Sequence, residues 1–137
     1  MLLDQLRIAA AGRTTSFESR IREVVAAYLG SYKSNDIDRR VALFAVDGTF
    51  EDPVGSEPMR GHDAIRAFWE AGATAFRIEM TLGKLYVSGR EAAFDATATL
   101  HDRAGDVARI HVIETLCLSN DGRIASLRAY WDIGSLG

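Results

Sequence analysis

The spacing of apolar residues changes once along this chain, and that change limits the possible folds more than any other feature. Up to Trp69 apolar side chains recur every third or fourth position, the period of a helix; from Phe76 they alternate, the period of a strand. Thr15 with Glu18 has the form of a capping box, so a helix is expected to start there and run through Phe17, Ile21, Val24, Val25, Tyr28, Leu29 and Tyr32. Asn35-Asp36 can cap a second, short helix whose apolar side is Ile37, Val41 and Phe44. Asp47-Gly48 reads as a turn, Thr49-Phe50-Glu51 as a short strand stopped by Pro53, and Val54 to Gly61 as a loop. His62–Ala71 returns to helical spacing and Gly72 ends it. The remaining candidate strands are Phe76–Ser88, Glu91–His101, Val107–Leu118 and Ile124–Ile133, separated by Gly89, Gly105 and Asp121-Gly122. Helices followed by an antiparallel meander predict an α+β domain, with the helices on one face of a curved sheet.

At 137 residues the chain is long enough for one domain with a real core. We expect that domain to span residues 15–137, with 1–14 as an amphipathic extension. Leu2, Leu3, Leu6 and Ile8 make the extension mildly apolar, but Asp4 and Arg7 interrupt it too early for a signal-peptide core. No apolar run reaches the roughly 18 residues of a membrane helix, so no membrane association is expected. A net charge of −3 leaves out the broad basic field of a nucleic-acid binder. The lone Cys117 cannot close an intrachain disulfide and reads as a small strand hydrophobe, and a cytoplasmic location is expected.

Chemistry is narrowed by elimination as well. The glycines form no G-x-G pair, there is no G-x-S-x-G elbow, and Gly83-Lys84 lacks the rest of a phosphate loop, so no nucleotide cofactor is expected. His111 and Glu114 fall on opposite faces of a strand, and His62 and His101 lie elsewhere, so no metal site is expected either.

Three residues stand out as candidates. Glu114 shares a strand face with Ile110, Val112, Leu116 and Leu118, which places a carboxyl group in the most apolar stripe of the chain. Desolvation there would raise its pKa and make it a neutral hydrogen-bond donor; alternatively the strand is an edge, or Arg109 or Arg128 pairs with it. Asp52 is held extended before Pro53 at a strand end, where it is either a rigidly supported functional group or a turn-forming Asp. Tyr28 lies on the apolar stripe of its helix, as does Tyr32, the position of an ordinary core aromatic with its hydroxyl at the rim.

The segments Val41-Ala42-Leu43-Phe44-Ala45, Glu51-Asp52-Pro53-Val54-Gly55-Ser56-Glu57-Pro58 and Gly61 with Ala64-Ile65-Arg66 resemble the Δ5-3-ketosteroid isomerases. A weaker likeness continues through Gly122-Arg123-Ile124 and Arg128-Ala129-Tyr130-Trp131. The resemblance implies the cone-shaped α+β fold shared with nuclear-transport-factor-like proteins, scytalone dehydratase and polyketide cyclases, a curved sheet wrapped around N-terminal helices. It implies Asp52 as the catalytic base, Tyr28 as an oxyanion-hole donor and Glu114 where the family has a protonated aspartate, a precedent for a neutral acid in an apolar site. Phe44 and Trp69 fall where some members place tyrosines, which would leave Tyr28 without those supporting hydrogen bonds. The implied substrate is a small hydrophobic, steroid-like ketone isomerised without cofactor or metal, with Trp131, Phe94, Met80 and Leu116 as candidates for the pocket wall. Rival expectations on the same fold are a polyketide cyclase-like or dehydratase-like enzyme, or a binding module without catalysis. A homodimer is also expected, from an exposed apolar sheet face and from the family.

Overall fold

A computed structural model describes residues 1–11 and 17–137. Helix α1 (Leu2–Ala11) has no buried residue, and the expected capping residue Thr15, with the expected domain start, lies outside the described residues. Helix α2 (Phe17–Lys33) buries the predicted stripe, Ile21, Val24, Val25, Tyr28, Leu29 and Tyr32. Asp36 accepts a hydrogen bond from the Arg39 amide and so starts α3 (Ile37–Ala42), as expected of an N-cap. Helix α4 (His62–Ala73) runs one residue past Gly72 and buries Ile65 and Trp69.

The strands are β1 (Phe44–Glu51), β2 (Met59–Arg60), β3 (Phe76–Ser88), β4 (Glu91–Asp102), β5 (Val107–Leu118) and β6 (Ile124–Tyr130). They form one sheet in the order β2-β1-β6-β5-β4-β3, so the fold is α+β with a curved six-stranded sheet, as expected. Strands β3 to β6 pair antiparallel, whereas β1 joins β6 in parallel. Ile133, expected at the end of the last strand, lies instead in a short 3-10 turn, Ile133–Ser135.

Two expectations at β1 are corrected. Phe44 belongs to the strand rather than to α3, and Asp47-Gly48 runs inside the strand rather than turning it. The pairing with β6 slips between Phe44 and Thr49, and Gly48 fills the irregularity: a Cβ there would stand 2.7 Å from the Ile124 carbonyl oxygen. The glycine between Asp47 and Thr49 is therefore required by close backbone approach, not by a turn.

The inner face of the sheet mixes large and very small residues. Phe94, Glu114 and Ala129 form a row across β4, β5 and β6, and Ala92 and Ala96 are buried in the core. Space is left between sheet and helices at Ala98 and Ala129. No helix among the described residues is long and apolar enough to cross a membrane.

Two glycine replacements should move stability in opposite directions. Gly48→Ala should destabilise the fold by about 1–3 kcal/mol through the clash with β6. Gly30→Ala, on an open stretch of α2 with nothing within 4 Å of the new methyl, should stabilise it by about 0.5–1 kcal/mol. Urea unfolding of both variants beside the parent chain checks the pair.

Candidate active site

The space between sheet and helices is a cavity of about 650 Å³, within the range of small-molecule sites. Its lining is mainly apolar, and Tyr28, Asp52 and Glu114 all contribute to it. The structure thus brings together the three candidate residues, which lie on α2, at the end of β1 and on β5.

Strand pairing explains how the two carboxyl groups meet. Glu51 pairs with Arg128, and the Val54 amide donates to the Ala129 carbonyl oxygen at 2.8 Å, so the Asp52-Pro53 segment is pinned along β6. Ala129 in turn pairs with Glu114. Asp52 and Glu114 therefore sit about two strand spacings apart, on the order of 10 Å along the sheet, with the small Ala129 between them.

Each carboxyl group has a distinct environment. The Trp131 indole N–H donates to Asp52 Oδ1 at 2.6 Å. Burial raises the Asp52 pKa above the usual carboxylate value, and the Trp131 hydrogen bond opposes that rise. Glu114 is only 2% exposed, and its Oε2 has no hydrogen-bond partner. Burial first, then the charge of Asp52, push Glu114 up to about 8, with a smaller opposing effect from the Tyr28 hydroxyl. The alternative arrangements are not found: Arg128 is engaged by Glu51 at 3.3 Å, Arg109 is exposed, and β5 is an interior strand. Near neutral pH Glu114 is mostly the un-ionised acid. Burial, then the charges of Glu114 and Tyr32, also hold the Tyr28 phenol well above its ordinary pKa, so it remains a neutral donor.

Tyr32 and Arg40 are the residues that sequence reasoning missed. The Tyr32 and Tyr28 hydroxyls are 2.8 Å apart, so Tyr28 does have a hydrogen-bonded support, one helical turn away on its own helix. Tyr32 is thus not a rim aromatic, because its hydroxyl is buried against the site. Phe44 and Trp69 supply apolar contact: Trp69 packs on both Tyr28 and Phe44. Arg40 is 1% exposed and lines the cavity. Of the candidate wall residues, Met80 and Trp131 line the cavity, while Phe94 and Leu116 are buried in the core outside it.

His111 is exposed on the opposite face of β5 from Glu114, with Nδ1 3.3 Å from Thr97 Oγ1. Cys117 is half-buried, and its thiol makes a long contact with the Leu118 carbonyl oxygen. Among the described residues no group of three or more His, Cys, Asp and Glu side chains is placed to hold a metal ion.

Residues 25–127 match the SnoaL-like domain. The chain is 34% identical over 119 residues to the steroid Delta-isomerase of Nocardioides simplex, an alignment covering 86% of this chain and 94% of that enzyme. It is also 28% identical over 132 residues to the ECF RNA polymerase sigma factor SigG of Mycobacterium tuberculosis, covering 95% of this chain but only 34% of the sigma factor. Among solved structures, the epoxide hydrolase/cyclase-like enzyme SalBIII, described with a role in pyran ring formation in polyether salinomycin, superposes with a TM-score of 0.81. It is 27% identical, with 89% of this chain and 97% of that one covered. Rv0760c of Mycobacterium tuberculosis, solved in complex with estradiol-17beta-hemisuccinate, superposes with a TM-score of 0.80 at 20% identity, covering 86% and 98% of the two chains. That second likeness establishes the fold.

The raised pKa of Glu114 has a consequence for stability. Unfolding returns the carboxyl to an ordinary value near 4.5, so between that pH and about 8 the folded state holds a proton that the unfolded state has released. This contribution is fully present below 4.5 and is lost as pH rises to about 8, at up to about 1.4 kcal/mol per pH unit. Glu114→Gln should flatten the decline. Urea midpoints measured from pH 5 to pH 9 test this, and equal slopes in both proteins would mean that Glu114 is ionised in the fold.

Proposed function

We infer that this chain, which belongs to the SnoaL-like domain family, is a steroid Δ-isomerase-like enzyme that moves a β,γ double bond into conjugation with a ketone. The observation that carries the reading is the pairing of Asp52 with an un-ionised Glu114 and a neutral Tyr28 around one apolar cavity. A base and two neutral donors are what enolisation of a ketone needs.

In the proposed reaction the Asp52 carboxylate takes the proton from the carbon between ketone and alkene. The electron pair of that C–H bond moves into the ring system and places negative charge on the ketone oxygen. Tyr28 and Glu114 hydrogen-bond that oxygen in the dienolate. Asp52 then returns the same proton to the far end of the diene, so the atoms balance and Asp52 ends as it began. Trp131 holds Asp52 toward the cavity through Oδ1 and leaves Oδ2 for the proton. The step passes through no metal or cofactor.

Substrate class follows from the lining. Away from the three site residues the wall includes Ala73, Phe76, Ile78, Leu100 and Ile110, which fit a flat hydrophobic skeleton and offer it no side-chain hydrogen bond. The 34% identity to a steroid Delta-isomerase supports a steroid-like ketone. A neutral acid facing a carboxylate could also assist ring closure, and the 27% likeness to SalBIII supports a cyclase as the second reading. Cyclisation of a hydroxy-epoxide without turnover of a Δ5-3-ketosteroid would favour it, and tight steroid binding without turnover of either would favour a binding module.

We further propose that residues 15–137 are one domain carrying this activity in the cytoplasm, with 1–14 as an extension. A homodimer would form through the outer sheet face, where Tyr86, Ile113 and Tyr130 are exposed. Sedimentation as a monomer at micromolar concentration would overturn the dimer.

Asp52→Asn keeps the shape of the side chain and removes its basicity, so isomerisation of a Δ5-3-ketosteroid should fall by about 100- to 10,000-fold, with steroid affinity largely kept. Tyr28→Phe should cost about 100- to 1,000-fold through loss of one oxyanion donor. Growth of the conjugated-enone absorbance reads both, and near-parent turnover in either variant removes that residue from the mechanism.

A further inference from the structure

Arg40 is a buried cation without a counter-ion among the described residues. It is 1% exposed, makes no ion pair among the described residues, and leaves Nη2 with no hydrogen-bond partner. Such a charge is costly to bury, so its neighbours matter. The guanidinium carbon stands 3.8 Å from the centroid of the Tyr32 ring and 4.8 Å from that of Trp69. Two ring faces stand where a carboxylate would be expected. Arg40 Nε donates to Ser31 Oγ at 2.9 Å, and Ser31 Oγ donates to the Tyr28 carbonyl oxygen at 2.6 Å. From Arg40 both routes lead to Tyr28, one through Ser31 and the other through the Tyr32 hydroxyl.

The direction of the Tyr28–Tyr32 hydrogen bond decides whether Tyr28 can act. Each hydroxyl has one proton to donate. If Tyr28 donates to Tyr32, its proton is turned away from a ligand; if Tyr32 donates, the Tyr28 proton is free. A cation on the face of Tyr32 favours electron density on that phenol, and so favours Tyr32 as donor. We propose that Arg40 and Tyr32 are positioning residues for Tyr28: the guanidinium on its ring makes Tyr32 donate its proton to the Tyr28 hydroxyl, which commits the Tyr28 proton to the carbonyl oxygen of a bound ketone. Burial holds the Tyr32 phenol above its ordinary pKa, and the Arg40 charge opposes that rise, the direction this arrangement requires. This deepens the isomerase reading and rests on it for the identity of the ketone. Helix α3, which touches no reacting atom in that reading, thereby gains a role through Arg40.

The test uses a bound 4-ene-3-ketosteroid with a 13C-labelled carbonyl, whose infrared stretch reports the strength of the hydrogen bond from Tyr28. In the parent protein the stretch should shift to lower frequency relative to water-free solvent, and Tyr28→Phe should remove much of that shift. Tyr32→Phe should lose part of it and lower kcat by about 2- to 10-fold, the range of one neutral hydrogen bond, with KM within about 2-fold. In a Tyr28→Phe background Tyr32→Phe should cost nothing further. Arg40→Met should behave like Tyr32→Phe, and Arg40→Lys, which keeps the charge, should recover part of the shift; if Arg40→Met fails to fold, Arg40→Lys and Tyr32→Phe carry the test. An increase in the carbonyl shift or in kcat in Tyr32→Phe would show the opposite donor direction, parent-like values would show that the Tyr32 hydroxyl does not set the Tyr28 proton, and either result would overturn the proposal while the isomerase reading stands. A parent protein that neither shifts the carbonyl nor turns over the steroid overturns the isomerase reading and this proposal with it.

Discussion

Two carboxyl groups facing one apolar cavity resist being charged together, and neither forms an ion pair among the described residues. Desolvation penalises the anion at each site, and the charge of one raises the pKa of the other. The asymmetry comes from their partners: Asp52 receives a short hydrogen bond from Trp131, while Oε2 of Glu114 has no partner. The proton therefore settles on Glu114. The proposed reaction uses that difference, with Asp52 as its base and Glu114 as its neutral acid.

The geometry that creates this constraint belongs to the sheet. Strand β1 enters in parallel beside β6, and its end is tied to β6 by the Val54–Ala129 backbone hydrogen bond. Residues remote in sequence are thus brought to neighbouring strands. Alanines on the inner face then decide where the helices fail to fill the space, so the cavity results from side-chain size on β4 and β6 as much as from curvature. A larger residue in place of Ala129 would occupy the ground between Asp52 and Glu114. Deep burial of a titratable group works against stability, and the fold accepts that cost at the proposed site.

Period was legible in the sequence; pairing was not. Strands β3 and β5 have the boundaries that alternation predicts, and the burial of Glu114 follows from the same alternation, because which face a residue occupies is a local property. Phe44 and Gly48 were misread because their structure depends on β6, far along the chain, and a glycine beside Asp looks the same in a turn and in a bulge. The likeness to the isomerases pointed to Asp52 and Tyr28, which periodicity alone left ambiguous. Nothing local marked Arg40, since a cation can be buried beside ring faces only once α2, α3 and α4 have packed together.

The aromatic floor of the cavity shows how one substitution pattern can be offset by another. Phe44 and Trp69 stand where the resemblance expects hydroxyl groups, Trp69 lining the cavity and Phe44 packing against it, and neither supplies a hydroxyl to Tyr28. Rings in place of hydroxyl groups lower the polarity around the site, which favours the neutral form of Glu114 still further. Support for Tyr28 comes from Tyr32 instead, one turn along the same helix, where i and i+4 side chains meet as a matter of helical geometry. Trp69 has two contacts in this arrangement: its ring packs on Tyr28 and lies near the Arg40 guanidinium. An indole in place of a phenol gives up a hydroxyl at this position and adds a broad π face, the surface that a buried cation without a carboxylate needs.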